Sequence, residues 1–219
     1  MSRLIEAAAD PSHPVEIVGV LSDMPDADGL LFAASRGIEA VALPRSDYPD
    51  RAAHEQAIQA ALESLGVEIV CLAGYMRMLS EAFVEKWAGR ILNIHPALLP
   101  SFKGLDTHRQ ALDAGVRVHG CTVHFVTAEM DNGPIVAQAA VPVLVGDDEK
   151  ALAARVLKAE HQLYPLALRL VAEDRIRVED GRTVFSNLHQ NDKDGLARLF
   201  SPASWNEDID LETLARSTP

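Results

Sequence analysis

Asn93 and His95 stand two residues apart in Ile91-Leu92-Asn93-Ile94-His95-Pro96. In an extended strand, residues two apart point to the same face. An amide and an imidazole on the face of an otherwise apolar strand cost free energy unless both find partners. Pro96 ends the strand, so the pair opens into a crevice at its carboxyl end. An amide N–H there suits a developing oxyanion, and an imidazole suits proton movement. A polar strand end satisfied by a neighbouring loop is the plainer alternative. Asp131, in Met130-Asp131-Asn132-Gly133-Pro134, is a carboxylate that would orient the imidazole if the two meet. By itself an Asp in a Gly-containing turn is equally a turn former.

Other chemistries lack their residues. His95, His108, His119, His124 and His161 are numerous, yet no His-x-His, helical His-x-x-x-His or Cys-x-x-Cys pair occurs, so no metal is expected. Cys71 lies inside an apolar run and Cys121 begins a strand with no base beside it. Gly-x-Ser-x-Gly and a phosphate-cradling P-loop are absent. The segment Gly74-Tyr75-Met76-Arg77-Met78-Leu79 follows the apolar run. Its methionines and tyrosine either fill core or receive a flat heterocycle.

These residues need a scaffold, and the chain supplies alternating elements. Strands are expected over 15–21, 38–43, 67–74, 90–94, 121–126 and 135–143. Helices are expected over 3–9, 27–36, 51–65, after Ser80, from a Thr107 cap to Gly115, and over 148–172. In the last, Leu152, Val156, Leu163 and Leu170 form an apolar stripe, and Pro165 should kink it. Val67–Gly74 is apolar enough to be a parallel strand buried on both faces. The alternation implies an α/β fold with a mostly parallel twisted sheet flanked by helices, and an antiparallel element where the last two long strands pair. Residues 1–187 read as one domain and 188–219 as an acidic extension.

Hydrophobic residues make up 48% and charged residues 24%, which excludes a disordered chain of 219 residues. With two Trp, three Tyr and six Phe, the core must be aliphatic. A net charge of −12 argues against nucleic-acid binding. The charge is uneven: four Lys/Arg face twelve Asp/Glu in residues 1–70, whereas ten face ten in residues 71–172. The candidate chemistry lies in that neutral stretch, where anionic ligands are not repelled. No apolar run reaches the roughly 18 residues of a membrane span, no signal segment opens the chain, and two cysteines make no disulfide framework. A cytoplasmic setting without membrane contact is expected.

Asn93-Ile94-His95-Pro96 with Leu98-Leu99-Pro100, Gly104-Leu105-Asp106-Thr107-His108-Arg109-Gln110-Ala111-Leu112, His124-Phe125-Val126-Thr127 and Met130-Asp131-x-Gly-Pro closely resemble the phosphoribosylglycinamide formyltransferase family. The resemblance runs from about residue 2 to 185. It implies a Rossmann-like fold and direct transfer of the formyl group of 10-formyltetrahydrofolate, a co-substrate, to the amine of glycinamide ribonucleotide in purine biosynthesis. Asn93, His95 and Asp131 would be catalytic. Asn93, Arg51 and the segment Met76, Arg77, Met78 and Leu79 would line the folate pocket, and Glu160 would contact the ribonucleotide. Glu160 falls near the apolar stripe of its helix, although an exposed, salt-bridging Glu fits there too.

A formyltetrahydrofolate hydrolase of the same fold, using the same three residues on water, and a folate-binding chain without catalysis are the alternatives. The resemblance leaves monomer and homodimer both open. Members of this family open with a strand and a Gly-Ser-Asn loop that holds phosphate at a helix N-terminus. Met1-Ser2-Arg3-Leu4-Ile5-Glu6-Ala7 aligns just after that loop. The first strand and phosphate loop are therefore expected to be missing from this sequence, with weak ribonucleotide affinity as the consequence.

Overall fold

The computed structural model describes residues 1–186. The expected extension over 188–219 lies outside the described residues. Helix α1 (Ser2–Ala8) is followed by strand β1 (Gly19–Ser22), α2 (Asp28–Ser35), β2 (Glu39–Ala42), α3 (Arg51–Ser64) and β3 (Val70–Leu72). Then come α4 (Glu81–Lys86), β4 (Ile91–His95), α5 (Thr107–Asp113), β5 (Val118–Phe125), β6 (Ile135–Pro142) and α6 (Glu149–Ala172). A hairpin of β7 (Ile176–Glu179) and β8 (Arg182–Phe185) ends the described chain.

The sheet is mixed. Parallel pairs join β1 to β2 and β3 to β4, while β4–β5 and β5–β6 are antiparallel. The β5–β6 pair runs over eight residues in each strand, and Gly120 makes that approach possible: a Cβ there would lie 2.0 Å from the Ala139 carbonyl oxygen. Local sequence explains the helix starts. Asp50 and Asp148 accept from Ala53 N and Ala151 N, and Ser80 accepts from Phe83 N. Gly37, Gly66 and Gly115 follow α2, α3 and α5 with left-handed backbone, so those helices stop where a glycine permits the turn. Helix α6 is assigned continuously across Pro165.

Helix α6 lays Leu152, Val156 and Leu168 against Leu92, Val123 and Phe125, and this aliphatic cluster is the main core. Tyr164, on the same helix, is buried, and its hydroxyl faces the Leu72 and Leu92 carbonyl oxygens at 2.9 and 3.0 Å. It thereby ties the carboxyl end of β3 to the start of β4. Leu62, Phe83, Trp87 and Ile91 form a second cluster on the other side.

Three expectations need correction. Strand β3 covers three residues and is only half-buried. Its edge away from β4 does not pair with β1; a cavity of about 800 Å³ separates them, lined by residues of both and by α1 residues Leu4 and Ile5. Thr107 is the first residue of α5 rather than its cap. Asp106 holds the cap position in left-handed backbone, and the Thr107 hydroxyl donates to the Pro96 carbonyl instead. The β7–β8 hairpin was not anticipated, because Arg175–Phe185 mixes polar and apolar residues without a clear run.

Candidate functional site

The carboxyl end of β4 builds the site. In the β4–β5 register Asn93 lies opposite His124 and His95 opposite Thr122. Thr122, fully buried, donates its hydroxyl to the Ala97 carbonyl and accepts from Leu99 N; Gln138 Nε2 reaches both Thr122 Oγ1 and the Leu99 carbonyl. These bonds pin the Pro96–Pro100 loop across the strand end.

His95 is buried, with both ring nitrogens engaged. Its Nε2 lies 2.9 Å from the Phe102 carbonyl, which only accepts, so Nε2 carries a hydrogen. Its Nδ1 lies 3.5 Å from Asp131 Oδ2. Nδ1 thus faces the carboxylate across a gap longer than a well-formed hydrogen bond. Asp131 Oδ2 also accepts from Gly104 N at 2.9 Å, and its Oδ1 lies 3.8 Å from His124 Nε2. Phe102 and Asp131 have φ of 55° and 49°, the left-handed region that non-glycine residues seldom occupy. Both are held there by bonds into the site, an arrangement typical of functional centres. Gly133 admits the Asp131 turn, since a Cβ there would sit 1.7 Å from the Phe125 carbonyl oxygen.

Around this centre the histidines are kept neutral. Burial is the main cause that lowers the His124 and His108 pKa values. His119 has no exposed surface and is pushed down to about 4 by burial and then by His108, whose Nδ1 lies 3.2 Å from His119 Nε2. In the unfolded chain a histidine titrates near 6.5. The folded pKa is the lower one, so the unfolded state binds more protons and the folded state loses stability as pH falls from about 6.5 to about 4. The loss from His119 alone is about 3 kcal/mol. Urea unfolding at pH 7 and at pH 5 should show a lower midpoint in acid, and His119→Asn should shrink that difference.

Cys71 and Cys121 are both pushed up to about 12 by burial, so neither supplies a thiolate near neutrality. Among the described residues, no group of three or more His, Cys, Asp or Glu side chains is placed to hold a metal ion.

A second cavity, about 220 Å³, is lined by Arg45, Arg51, His54, Glu55, Tyr75, Arg77 and Met78. Arg51 Nε donates to Glu55 at 2.9 Å, and Arg77 Nε to Asp23 at 2.7 Å. Burial pushes the Glu55 carboxyl up, but hydrogen bonds from Ser80 N, the Ser80 hydroxyl and Arg51 outweigh it and hold the pKa below the usual range. That carboxylate therefore fixes Ser80 and the loop before it. Leu79 lines the larger cavity. Met76 is 79% exposed and lines neither, so the expected ligand segment contributes Arg77, Met78 and Leu79 to cavity walls without it.

Glu160 makes no ion pair among the described residues that would fit an exposed salt-bridging role. Burial raises its pKa, and the Met1 amino group is the charge that opposes this. It also faces Cys121 electrostatically. It thus stands by the start of α1.

Asn93, His95 and Asp131 do converge; Arg51, Arg77 and Met78 gather around the second cavity. Sequence reasoning placed His124 in the family motif without giving it a role, and it missed the Phe102 carbonyl and the Gly104 amide. His124 was legible through parity, for it alternates with Thr122 on a strand antiparallel to β4. The two backbone groups carry no residue-type signal at all.

An interior strand of this α/β fold thus ends in a side-chain amide and an imidazole that faces a carboxylate, groups able to donate hydrogen bonds and to move protons. The chain belongs to the formyl transferase family, whose model matches residues 1–168. It is 42% identical over 180 residues to phosphoribosylglycinamide formyltransferase of Escherichia coli K12, covering 82% of this chain and 85% of that one. It is 47% identical over 178 residues to the trifunctional purine biosynthetic protein adenosine-3 of Gallus gallus, covering 81% of this chain but only 18% of that protein. The chain thus spans less than a fifth of its trifunctional relatives. Phosphoribosylglycinamide formyltransferase of Brucella melitensis superposes with a TM-score of 0.76 at 58% identity, over 78% of this chain and 88% of the other. Glycinamide ribonucleotide transformylase 1 of Symbiobacterium toebii gives 0.81 at 46% identity, over 84% and 86%. No helix among the described residues is long and apolar enough to cross a membrane.

Proposed function

We propose that this chain transfers the formyl group of 10-formyltetrahydrofolate to the amine of glycinamide ribonucleotide. The observation that carries this reading is the convergence of Asn93, His95 and Asp131 at the end of β4, in a chain whose relatives of matching length are named for that reaction. The amine nitrogen adds to the formyl carbon to give a tetrahedral intermediate, whose collapse breaks the bond from that carbon to N10. Asn93 donates an amide N–H to the oxygen that gains charge, an interaction worth about 3–4 kcal/mol. His95, faced by the Asp131 carboxylate, acts as the acid or the positive charge at the reacting centre. Asp131 takes the proton released by the attacking amine and passes it through water to N10. Protons and bonds balance without a covalent enzyme adduct. Alignment of the two substrates supplies much of the remaining acceleration.

The second cavity suits the folate. Arg51 and Arg77 present guanidinium groups for a carboxylate tail, and Met78 and Tyr75 present soft and flat surfaces for a ring system. Glu160 is the residue assigned to the ribonucleotide. The proposal is tested by mixing the purified chain with the formyl donor and following its deformylation by absorbance, with and without saturating ribonucleotide. Deformylation that requires the ribonucleotide supports the assignment. Equal rates with and without it sink the assignment in favour of hydrolysis.

A further inference from the structure

His124 is 2% exposed, and its ring is caught between groups that differ in what they accept. Nδ1 lies 3.0 Å from the Phe125 carbonyl, an acceptor with no hydrogen to give, so Nδ1 must carry the hydrogen. Nε2 is then a lone pair in the neutral ring. At 3.3 Å from it lies the Asn93 side-chain amide. Only the NH₂ end of that amide can satisfy a lone pair, so the amide is oriented by a chain of hydrogen bonds that starts at a backbone carbonyl.

From this chain we infer that His124 is a positioning residue: locked as the Nδ1–H tautomer, it accepts one N–H of Asn93 and decides which end of that amide faces the substrates. Asn93 then has a single remaining N–H to donate, in a fixed direction. An imidazolium at position 124 would have no lone pair for Asn93 and would drive the amide to turn its oxygen inward, removing the donor. The surroundings hold that off. Burial lowers the His124 pKa and His95 lowers it further, against Asp131 Oδ1 at 3.8 Å and the Phe125 carbonyl, which both raise it. The inference rests on the reading of Asn93 as the oxyanion donor, and it adds the residue that makes that donor usable.

The test is long-range ¹H–¹⁵N NMR of the full chain near neutral pH. The expected result is a neutral His124 ring with its hydrogen on Nδ1 and an acceptor-type Nε2, together with one shifted Asn93 side-chain N–H. A ring protonated at Nε2, whether as the other tautomer or as imidazolium, overturns the inference. This measurement is independent of turnover, so its failure is distinguishable from failure of the formyl-transfer reading. A pair of variants reads the consequence. His124→Phe keeps a ring but offers no acceptor, and should lower kcat by about 10- to 100-fold, less than loss of the donor itself, with the folate KM nearly unchanged. His124→Gln, which restores an acceptor oxygen, should recover part of kcat. Equal loss in both variants, or a loss confined to KM, contradicts the assignment.

Discussion

Asp131→Asn is expected to lower kcat by about three orders of magnitude while leaving the fold intact. The substitution is nearly isosteric, and its side-chain oxygen can still accept the Gly104 N–H that holds the turn together. What disappears is the negative charge beside His95 Nδ1 and, in the proposed mechanism, the base that takes the amine's proton. General acid–base groups contribute about 10²–10⁴ in rate, and the proposed mechanism gives Asp131 two roles, as base and as partner of the imidazole. Asn also tolerates the left-handed backbone at Asp131, so the loss should reflect chemistry rather than a displaced turn. Single-turnover kinetics with both substrates saturating will isolate the step. A loss below about tenfold would remove Asp131 from the proton path, given the usual range for such groups.

The second large effect is that of Asn93→Ala. Removing one preorganised donor to an oxyanion costs about 10²–10³ in kcat. The folate KM should change little if, as proposed, Asn93 acts on charge that develops only on the formyl oxygen in the transition state. The variant also leaves His124 Nε2 without its N–H donor, which adds about 1–3 kcal/mol of destabilisation for a buried acceptor. Steady-state kinetics beside thermal unfolding separates the two consequences. A rise in KM with unchanged kcat would mean that Asn93 contributes only ground-state binding.

The parts of this site differ in how readable they were. Asn93 and His95 follow from strand parity and from the proline after them, because a period of two leaves no other face for the pair. Asp131 is different. Its contact with His95 spans 36 positions and depends on the left-handed turn that Gly133 permits, and no local pattern reports that. The family resemblance supplied it. Arg51, Arg77 and Met78 came the same way, and their neighbours Arg45 and His54 were not foreseen, since nothing in a helix start marks the cavity it faces.

The fold shows the same division. Helix boundaries set by Asp50, Ser80, Asp148 and the glycines after α2 and α3 are local decisions and came out close to their expected positions. The burial of β3 is not local. Val67–Gly74 has the composition of a strand covered on both faces, but burial also needs neighbours, and β3 pairs on one edge only. At Thr107 the hydroxyl had two possible acceptors or donors, and the tertiary contact with Pro96 prevailed over the cap.

The central claim is that Asn93, His95 and Asp131 move a formyl group between two substrates rather than release it. Supplying 10-formyltetrahydrofolate labelled with ¹³C in the formyl carbon, together with saturating glycinamide ribonucleotide, follows that carbon directly by NMR. The label is expected to appear as the formamide of the ribonucleotide, with formate no faster than in an enzyme-free control. Label accumulating as free formate, at a rate indifferent to the ribonucleotide, would contradict it.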